Sequence, residues 1–245
     1  MSSDESSSAH LSAPARIIVA IDGPAGAGKS TIARHLARHF GLLNLETGAM
    51  YRAFALKALR AAAPLDDGSA LEKLSAGTTI RLEPGDAHNR VLLDGEDVTE
   101  LLRNQTVTDA ASRVSVFPAI RAWMVALQQQ LGAQGGVVME GRDIGTVVFP
   151  RAEVKIFLDA APEVRGLRRY EQMGQLGQEP AEGAKQPEEV IRDLRARDER
   201  DRNRPDSPLK PADDAVLLDS TGMTLEQAVQ AAEAIVAGKL AQLGG

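Results

Sequence analysis

The sequence contains no cysteine, few aromatic residues and no long apolar run. The absence of cysteine from all 245 residues excludes disulfides, thiolate metal sites and cysteine nucleophiles, and it is typical of a reducing compartment. Five Phe, two Tyr and one Trp are too few for the stacking platforms of proteins that bind single-stranded nucleic acid. No apolar run approaches the ~18 residues of a membrane span, and the N-terminus lacks the pattern of a secretory signal. We therefore expect a soluble, cytoplasmic protein.

The charge balance narrows the range of partners. Lys and Arg number 28, Asp and Glu number 34, and the formal net charge is -6. An acidic chain is a poor general ligand for nucleic acid or for an anionic membrane surface. Any site for an anion must then be built locally, and we expect small-molecule partners, with no nucleic acid and no membrane.

The order of apolar runs along the chain indicates the fold class. Residues 1–14 are rich in Ser and poor in core-forming residues, which predicts a disordered extension before a single domain at 15–245. Continuous apolar runs predict buried strands, and 3.6-residue periodicity predicts helices. The predicted strands are Arg16–Ile21, Gly136–Glu140, Val154–Leu158 and Ala215–Leu218. The predicted helices are Ser30–Phe40, Ala49–Ala62, Pro118–Leu131, Pro162–Gln172, Pro187–Arg200 and Leu225–Leu240. This alternation is typical of an α/β fold whose parallel sheet is flanked by helices.

Two stretches interrupt the alternation. Thr78–Glu83 and Asn89–Leu93 are short β-like runs, and Asp94 with Gly95 forms a hairpin turn signal, so a small antiparallel insertion is expected. Met173–Gln186 is rich in Gly, Gln and Glu between two charged helices. We interpret it as the mobile tip of a helical hairpin.

A glycine-rich motif follows the first predicted strand. Residues 23–30 read GPAGAGKS and match G-x-x-x-x-G-K-S/T at every fixed position, between a strand and a helix. The glycines let backbone N–H groups point inward, and the helix N-terminus adds partial positive charge, so polyphosphate is the natural ligand. In such a loop Lys29 contacts the β and γ phosphates, and the Ser30 hydroxyl is a ligand for Mg²⁺. An accidental glycine-rich turn is the alternative.

Two competing interpretations of this region are weaker. The dinucleotide fingerprint needs a third glycine at position 31, where the chain has Thr31, which disfavours a nicotinamide dehydrogenase. His35 and His39 lie four residues apart on the following helix, a spacing that can hold a metal ion. Because no Glu follows His35 and no third ligand is apparent in the sequence, we interpret them as surface histidines.

Arginine is unevenly distributed. Of 21 arginines, 11 fall between Arg142 and Arg204. In residues 192–204 they alternate with acids, which is typical of a solvated helix with i, i+4 ion pairs. The alternative is a lid that brings planar guanidinium groups to transferring phosphates.

A second polar stretch, EGRDIG at residues 140–145, follows a buried strand. Ligands of open parallel sheets lie at the carboxyl ends of the strands, so Arg142 and Asp143 are expected in the crevice of the phosphate loop. Arg142 suits a phosphate, and Asp143 suits an amine or a hydroxyl. Glu140 is a candidate to hold a Mg²⁺-bound water. The alternative is a helix-capping Asp143 with a neighbouring ion pair.

Together these motifs resemble the bacterial cytidylate kinase family of P-loop nucleoside monophosphate kinases. The ordered matches are GPAGAGKST (23–31), ETGAMYR (46–52), AASRVS with FPAIR (110–121), EGRDIGTVVFP (140–150), KIFLDA (155–160), RDERDRNR (197–204) and LDST (218–221). They extend from about residue 16 to 240. Glu46 and Thr47 stand where Asp and Ser are common in the family, and both substitutions keep the functional group. The tip Gly174–Gln186 is less family-like.

The resemblance implies roles for individual residues. ATP is held by the loop Gly23, Pro24, Ala25, Gly26, Ala27, Gly28, Lys29, Ser30 and Thr31, and Ser30 ligates Mg²⁺. The monophosphate substrate is held by Thr47, Tyr51, Arg52, Ser112, Arg121, Arg142, Asp143, Arg197, Asp201 and Arg204. Among these, Arg52, Arg142 and Arg204 bind its phosphate, Arg197 and Asp201 face the sugar, and Ser112, Arg121 and Asp143 contact the cytosine edge. The implied catalytic residues are Lys29, Arg52, Arg142 and Arg204.

The resemblance also implies a domain plan and a reaction. The core comprises about 15–45, 105–162 and 205–245, a monophosphate-binding insertion spans about 46–104, and an Arg-rich helical lid spans about 163–204. The implied reaction is ATP-dependent phosphorylation of CMP and dCMP, with ATP and Mg²⁺ as cofactors, by a monomer.

Alternatives are a kinase with shikimate or adenylate as acceptor and an ATP-binding module without catalysis. A regulatory GTPase is disfavoured because neither Asn-Lys nor Thr-Lys, which open its guanine motif, occurs in the chain.

Overall fold

The computed structural model describes residues 16–83, 85, 89–175 and 186–243. The predicted disordered extension, 1–14, and most of the predicted tip, 176–185, lie outside these residues. None of the helices in the described ranges is long and apolar enough to cross a membrane.

Five parallel strands form the central sheet. In chain order the strands of the protein are β1 (Ile18–Asp22), β2 (Leu43–Glu46), β3 (Ile80–Glu83), β4 (Arg90–Leu93), β5 (Glu96–Asp97), β6 (Val137–Gly141), β7 (Val154–Asp159) and β8 (Val216–Asp219). The sheet has the order β2-β6-β1-β7-β8. β1 lies at its centre, with Ile18 opposite Val137 and Val19 opposite Val154. Because β1 and β6 are buried on both faces, they consist of near-continuous apolar residues.

Eight helices surround the two sheets in the described part of the chain. They are α1 (Lys29–Phe40), α2 (Thr47–Arg60), α3 (Gly68–Ala76), α4 (Gln105–Val114), α5 (Pro118–Gly132), α6 (Pro162–Gln175), α7 (Pro187–Asn203) and α8 (Leu225–Leu243). The apolar faces of α1 and α8 pack on one side of the parallel sheet, against residues such as Val19 and Ile156. Helices α2, α4 and α5 pack on the other, against Ala20 and Met139. The predicted parallel sheet flanked by helices is therefore confirmed.

The predicted antiparallel insertion is present as a three-stranded sheet. β3 pairs with β4, placing Ile80 opposite Leu93, and β4 pairs with β5. Asp94 and Gly95 link β4 to β5 with φ values of 51° and 89°. Two consecutive positive φ angles are the requirement of the tight hairpin turn that an Asp-Gly pair favours.

Among the strands and helices named above, β2, β5, α3 and α4 have no counterpart in the sequence-based predictions. Strand β2 is at the sheet edge, where its burial alternates, so it lacks a continuous apolar run. Helices α3 and α4 are short, and the buried side of α4 consists of small or β-branched residues. The four predicted strands of the parallel sheet are present, and their ends differ from the prediction by at most two residues.

Candidate active site

The phosphate loop joins β1 to α1. Gly23, Gly26 and Gly28 have φ values of 148°, 76° and 97°, a region that L side chains rarely adopt. A Cβ atom on Gly23 would lie 1.9 Å from the carbonyl oxygen of Leu158. The start of the loop is therefore packed directly against the backbone of β7, and only glycine fits there.

Lys29 lies inside this loop. Its side chain is buried, and its ammonium group donates a hydrogen bond of 2.7 Å to the carbonyl oxygen of Pro24. Burial lowers the pKa of Lys29 to about 7, and the nearby positive charge of Arg142 lowers the pKa further while Glu140 opposes it. A polyphosphate beside Lys29 supplies negative charge that favours the charged ammonium.

Ser30 and Glu140 form the candidate Mg²⁺ site. The Ser30 hydroxyl donates a hydrogen bond of 2.5 Å to Oε1 of Glu140, whose side chain is buried at the end of β6. A hydroxyl and a carboxylate are hard oxygen donors of the kind that Mg²⁺ prefers, and Mg²⁺ retains several waters in such sites. The donor set therefore fits Mg²⁺ next to the phosphate loop.

Asp22 is a functional candidate that the sequence analysis missed. Its two carboxylate oxygens accept hydrogen bonds of 2.8 and 2.7 Å from the backbone N–H groups of Ile144 and Gly145. Burial raises its pKa to about 6, although the two amide hydrogen bonds act in the opposite direction. Asp22 thus ties the end of β1 to the turn that carries Arg142 and Asp143. The signal in the sequence was a lone carboxylate at the end of an apolar run.

Asp143 is paired with two predicted substrate-binding arginines. Arg121 donates a hydrogen bond from Nη2 to Oδ2 of Asp143, and both side chains are buried. Nη2 of Arg204 lies 3.9 Å from Oδ1 of Asp143. The Arg121 guanidinium also lies over the Tyr51 ring, 5.9 Å from its centroid. The alternative of a helix-capping Asp143 is wrong, because its side chain makes no capping hydrogen bond, whereas the neighbouring ion pair is present.

Asp201 interacts with three of the predicted arginines, Arg142, Arg197 and Arg204. Arg142 donates from Nε to Oδ2 of Asp201 at 2.9 Å, and Nη1 of Arg204 lies 3.8 Å from Oδ1 of Asp201. Burial lowers the pKa of Arg197 to about 10, with Arg142 contributing and Asp201 opposing. Burial likewise lowers the pKa of Arg52, while Glu46 and Glu140 oppose the change. So much positive charge in one crevice is suited to multiply charged phosphates.

Several buried polar atoms in this crevice make no hydrogen bond within the described part of the chain. They include Oγ of Ser112, Nε of Arg121, Nε of Arg197 and Nη2 of Arg204. All four belong to residues predicted to bind the monophosphate substrate. Buried polar atoms normally have partners, and leaving one unpaired costs about 1–3 kcal/mol. These four buried atoms therefore retain hydrogen-bonding capacity that no contact among the described residues uses.

Thr47 makes a structural contact. Its hydroxyl donates a hydrogen bond of 2.7 Å to the carbonyl oxygen of Glu140, which joins the start of α2 to the end of β6. The oxygen atom of Thr47 retains its acceptor capacity. A role for Thr47 in binding substrate remains a prediction.

Helices α6 and α7 lie within the predicted lid, and Arg165 of α6 connects them to the phosphate loop. This guanidinium is fully buried and donates to the carbonyl oxygen of Ala25 at 2.8 Å and to Asp198 of α7 at 2.6 Å. The i, i+4 ion pairs expected of a solvated helix are not the dominant pattern in the described part of α7. Its acids and arginines pair instead with other elements, as in Arg195 with Glu163 and Asp201 with Arg142. Arg165 was not predicted, because nothing in the sequence distinguishes it from its neighbouring arginines.

Comparisons with known proteins show the family to which the chain is similar. Residues 19–237 match the family model described as cytidylate kinase. The chain is 43% identical over 214 residues to the cytidylate kinase of Pasteurella multocida (strain Pm70), covering 87% of this chain and 92% of that protein. It is 46% identical over 222 residues to the cytidylate kinase of Syntrophotalea carbinolica (strain DSM 2380 / NBRC 103641 / GraBd1), covering 91% of this chain and 92% of that protein. A shikimate kinase from Acinetobacter baumannii in complex with shikimate gives a TM-score of 0.44 at 18% identity, covering 94% of this chain and 96% of that chain. A similarity this low carries no argument about the acceptor.

Proposed function

Because the chain belongs to the cytidylate kinase family, we propose that it transfers the γ-phosphoryl group of ATP to CMP and dCMP, giving CDP and dCDP. The main support for the proposal is that the phosphate loop, Glu140 and four arginines lie close together. Those arginines are Arg52, Arg142, Arg197 and Arg204. This arrangement provides separate positions for a donor polyphosphate and an acceptor phosphate.

The reaction exchanges one P–O bond for another. An acceptor phosphate oxygen, already ionised at neutral pH, forms a bond to the γ-phosphorus while the bond to the β-phosphate oxygen breaks. Strong base catalysis is therefore unnecessary, and the protein positions the two phosphates and stabilises their charge. When bound, Mg²⁺ supplies charge neutralisation at the donor phosphates, held by Ser30 with Glu140 through water.

Lys29 and the arginines position the two phosphates and stabilise their charge. Lys29 and the loop amides hold the donor phosphates, and Arg52, Arg142 and Arg204 hold the acceptor phosphate. The ion pairs of Asp201 with Arg142 and Arg204 keep these guanidinium groups at the crevice. Such preorganised donors stabilise developing charge without reorganising during the reaction.

Recognition of the sugar and the base is assigned to the same crevice. Arg197 and Asp201 face the sugar, and Ser112, Arg121 and Asp143 contact the cytosine edge. Two observations support this assignment: Oγ of Ser112 and Nε of Arg121 are buried without a hydrogen-bond partner, and the Tyr51 ring lies beside Arg121. We further propose the insertion and lid boundaries given above, a monomeric state and a cytoplasmic location.

A coupled ADP-release assay with a panel of acceptors tests the proposal. CMP and dCMP are expected to be the best substrates, ahead of UMP, AMP and shikimate. Release of ADP that does not depend on any acceptor would support an ATPase. No turnover with any acceptor by a folded, ATP-binding protein would support the binding module.

Asp143→Asn is expected to change base preference. Cytosine presents an amine donor that a carboxylate can accept, whereas uracil presents a carbonyl oxygen that a carboxylate repels. The asparagine amide can rotate to donate to that carbonyl. We expect the kcat/KM for CMP to fall and the ratio of UMP to CMP kcat/KM to rise by at least ~10-fold, about 1.4 kcal/mol.

A matched control is Asp109→Asn, which alters an exposed carboxylate on α4. Because Asp143 also pairs with buried Arg121, circular dichroism and thermal unfolding must show that the variant is folded. A folded Asp143→Asn enzyme with the parent ratio would show that Asp143 does not read the base.

The predicted lid, about 163–204, is expected to close over bound substrates. Amide hydrogen exchange in peptides of α6 and α7 should slow when CMP and a nonhydrolysable ATP analogue are added together, because the closed state protects the backbone. Peptides from the C-terminal half of α8 serve as the internal control. Unchanged exchange in α6 and α7 would favour a fixed, solvated helical hairpin.

A further inference from the structure

Two histidines and a glutamate meet on the side of the sheet opposite to α2. His35 and His39 lie one turn apart on α1, with ring centroids 6.0 Å apart. Oε1 of Glu233, on α8, is 2.5 Å from Nε2 of His35 and 2.9 Å from Nδ1 of His39. No third ligand for the histidine pair is apparent from the sequence alone. The packing of α8 on α1 supplies one from almost 200 positions further along the chain.

We propose that His35, His39 and Glu233 form a binding site for a divalent transition-metal ion, with Zn²⁺ as the best match. One ligand atom from each side chain lies within 4.8 Å of the others, and this is the one such group among the residues that the structure describes. Two imidazoles and a carboxylate are a common Zn²⁺ ligand set with an open fourth position for water. Mg²⁺ and Ca²⁺ prefer oxygen ligands, so this site is distinct in chemistry from the one at Ser30.

The geometry allows coordination after a small movement. In a tetrahedral site with metal–ligand distances of ~2.0–2.2 Å, neighbouring ligand atoms lie about 3.3 Å apart. The Glu233 oxygen must therefore move away from the two nitrogens by less than about 1 Å. The two nitrogens, which lie within 4.8 Å of each other, must approach by no more than about 1.5 Å, a movement within the range of side-chain rotation. The side chains of His35, His39 and Glu233 are 42%, 53% and 25% exposed, so an ion reaches them from solvent.

A bound ion would join α1 to α8. Helix α1 begins at Lys29, in the phosphate loop, while His35 and His39 occupy its C-terminal half. An ion that binds only the folded arrangement stabilises it by mass action. The expected consequence is a higher melting temperature in Zn²⁺, independent of nucleotide.

Zn²⁺ binding to the full-length chain, free of any affinity tag, tests the proposal. The protein is first stripped of metal. Nucleotide is left out because ATP chelates Zn²⁺. A chromophoric chelator then competes with the protein for the ion at pH 7.5. We expect one equivalent to bind with a Kd in the micromolar range or below. His35→Gln, His39→Gln and Glu233→Gln should each raise the Kd at least ~10-fold, and Zn²⁺ should no longer raise the melting temperature of the variants.

Control experiments distinguish Zn²⁺ binding at this site from binding elsewhere and from loss of folding. Glu226→Gln removes an exposed carboxylate from the first turn of α8 and should change the Kd less than 2-fold, and excess Mg²⁺ should not compete. The melting temperatures of the metal-free variants, compared with that of the metal-free parent, report any loss of folding. The proposal fails if no saturable binding occurs below ~100 μM Zn²⁺. It also fails if His35→Gln/His39→Gln binds as tightly as the parent, since the ion then occupies another site.

Discussion

Lys29→Ala is expected to lower kcat for CMP phosphorylation by ~10²- to 10³-fold. One preorganised donor aimed at developing negative charge contributes about 3–4 kcal/mol to transition-state stabilisation. Lys29 is the cation inside the phosphate loop, and burial with the nearby Arg142 lowers its pKa to about 7. The kcat and the KM for ATP, measured at saturating CMP, separate loss of chemistry from loss of binding.

The stability of this variant provides the control. The pKa of Lys29 is lower in the folded than in the unfolded protein, so the unfolded chain binds more protons between about pH 7 and 10.5. Lys29 therefore lowers the free energy of unfolding most at low pH. This destabilisation decreases as the pH rises through that window. Because most of this destabilisation is still present at pH 7, removing the buried ammonium should not lower the free energy of unfolding there. Lys73→Ala, on α3, is the matched variant. A folded Lys29→Ala enzyme with near-normal turnover would contradict the assignment.

The second large effect concerns stability. Asp198→Ala is expected to lower the free energy of unfolding by about 3–5 kcal/mol, because it leaves a buried guanidinium without its counter-ion. Arg165 and Asp198 have side chains that are 1% and 3% exposed, and their contact is 2.6 Å long. For a domain of this size the loss corresponds to a melting temperature lower by roughly 6–20 °C. Thermal and urea unfolding measure it.

A neighbouring acid and a double variant sharpen the test. Glu199→Ala removes an exposed carboxylate one residue away and should change the free energy of unfolding by less than about 0.5 kcal/mol. Arg165→Met/Asp198→Leu, which replaces the buried pair with apolar side chains, should recover much of the lost stability. Equal effects of Asp198→Ala and Glu199→Ala would show that the ion pair does not contribute.

The sequence predicted the elements that are determined by residues close together in the chain. Strands β1, β6 and β7 are buried on both faces and are therefore mostly apolar, with Lys155 of β7 as an exception. The phosphate loop needs glycines at fixed positions because the backbone adopts positive φ. Strand β2 was missed because edge pairing with β6, rather than its own composition, stabilises it. Helix α4 was missed because its buried face is made of Val107, Ala110, Ala111 and Val114, which are small or β-branched.

Site residues that belong to a distinctive sequence motif were predicted. Site residues whose role depends on tertiary contacts were missed. Lys29, Ser30 and Arg142 stand in distinctive motifs. By contrast, the role of Asp22 depends on two amides that lie more than 100 positions away in the chain. Arg165 is one of many arginines, and only its burial between Ala25 and Asp198 distinguishes it. Such long-range pairs cannot be inferred from a single sequence.

The central position of β1 also affects how the chain folds during synthesis. Its partners in the sheet are β6 and β7, so Val19 meets neither Val138 nor Val154 until more than half of the chain exists. At ~5–20 residues per second that interval is on the order of ten seconds. An apolar strand and the loop after it spend this time without their native neighbours, since non-local parallel pairing is slow to form. The nucleotide site is thus completed late, and nascent chains shorter than about 160 residues are expected to depend on chaperones to remain soluble.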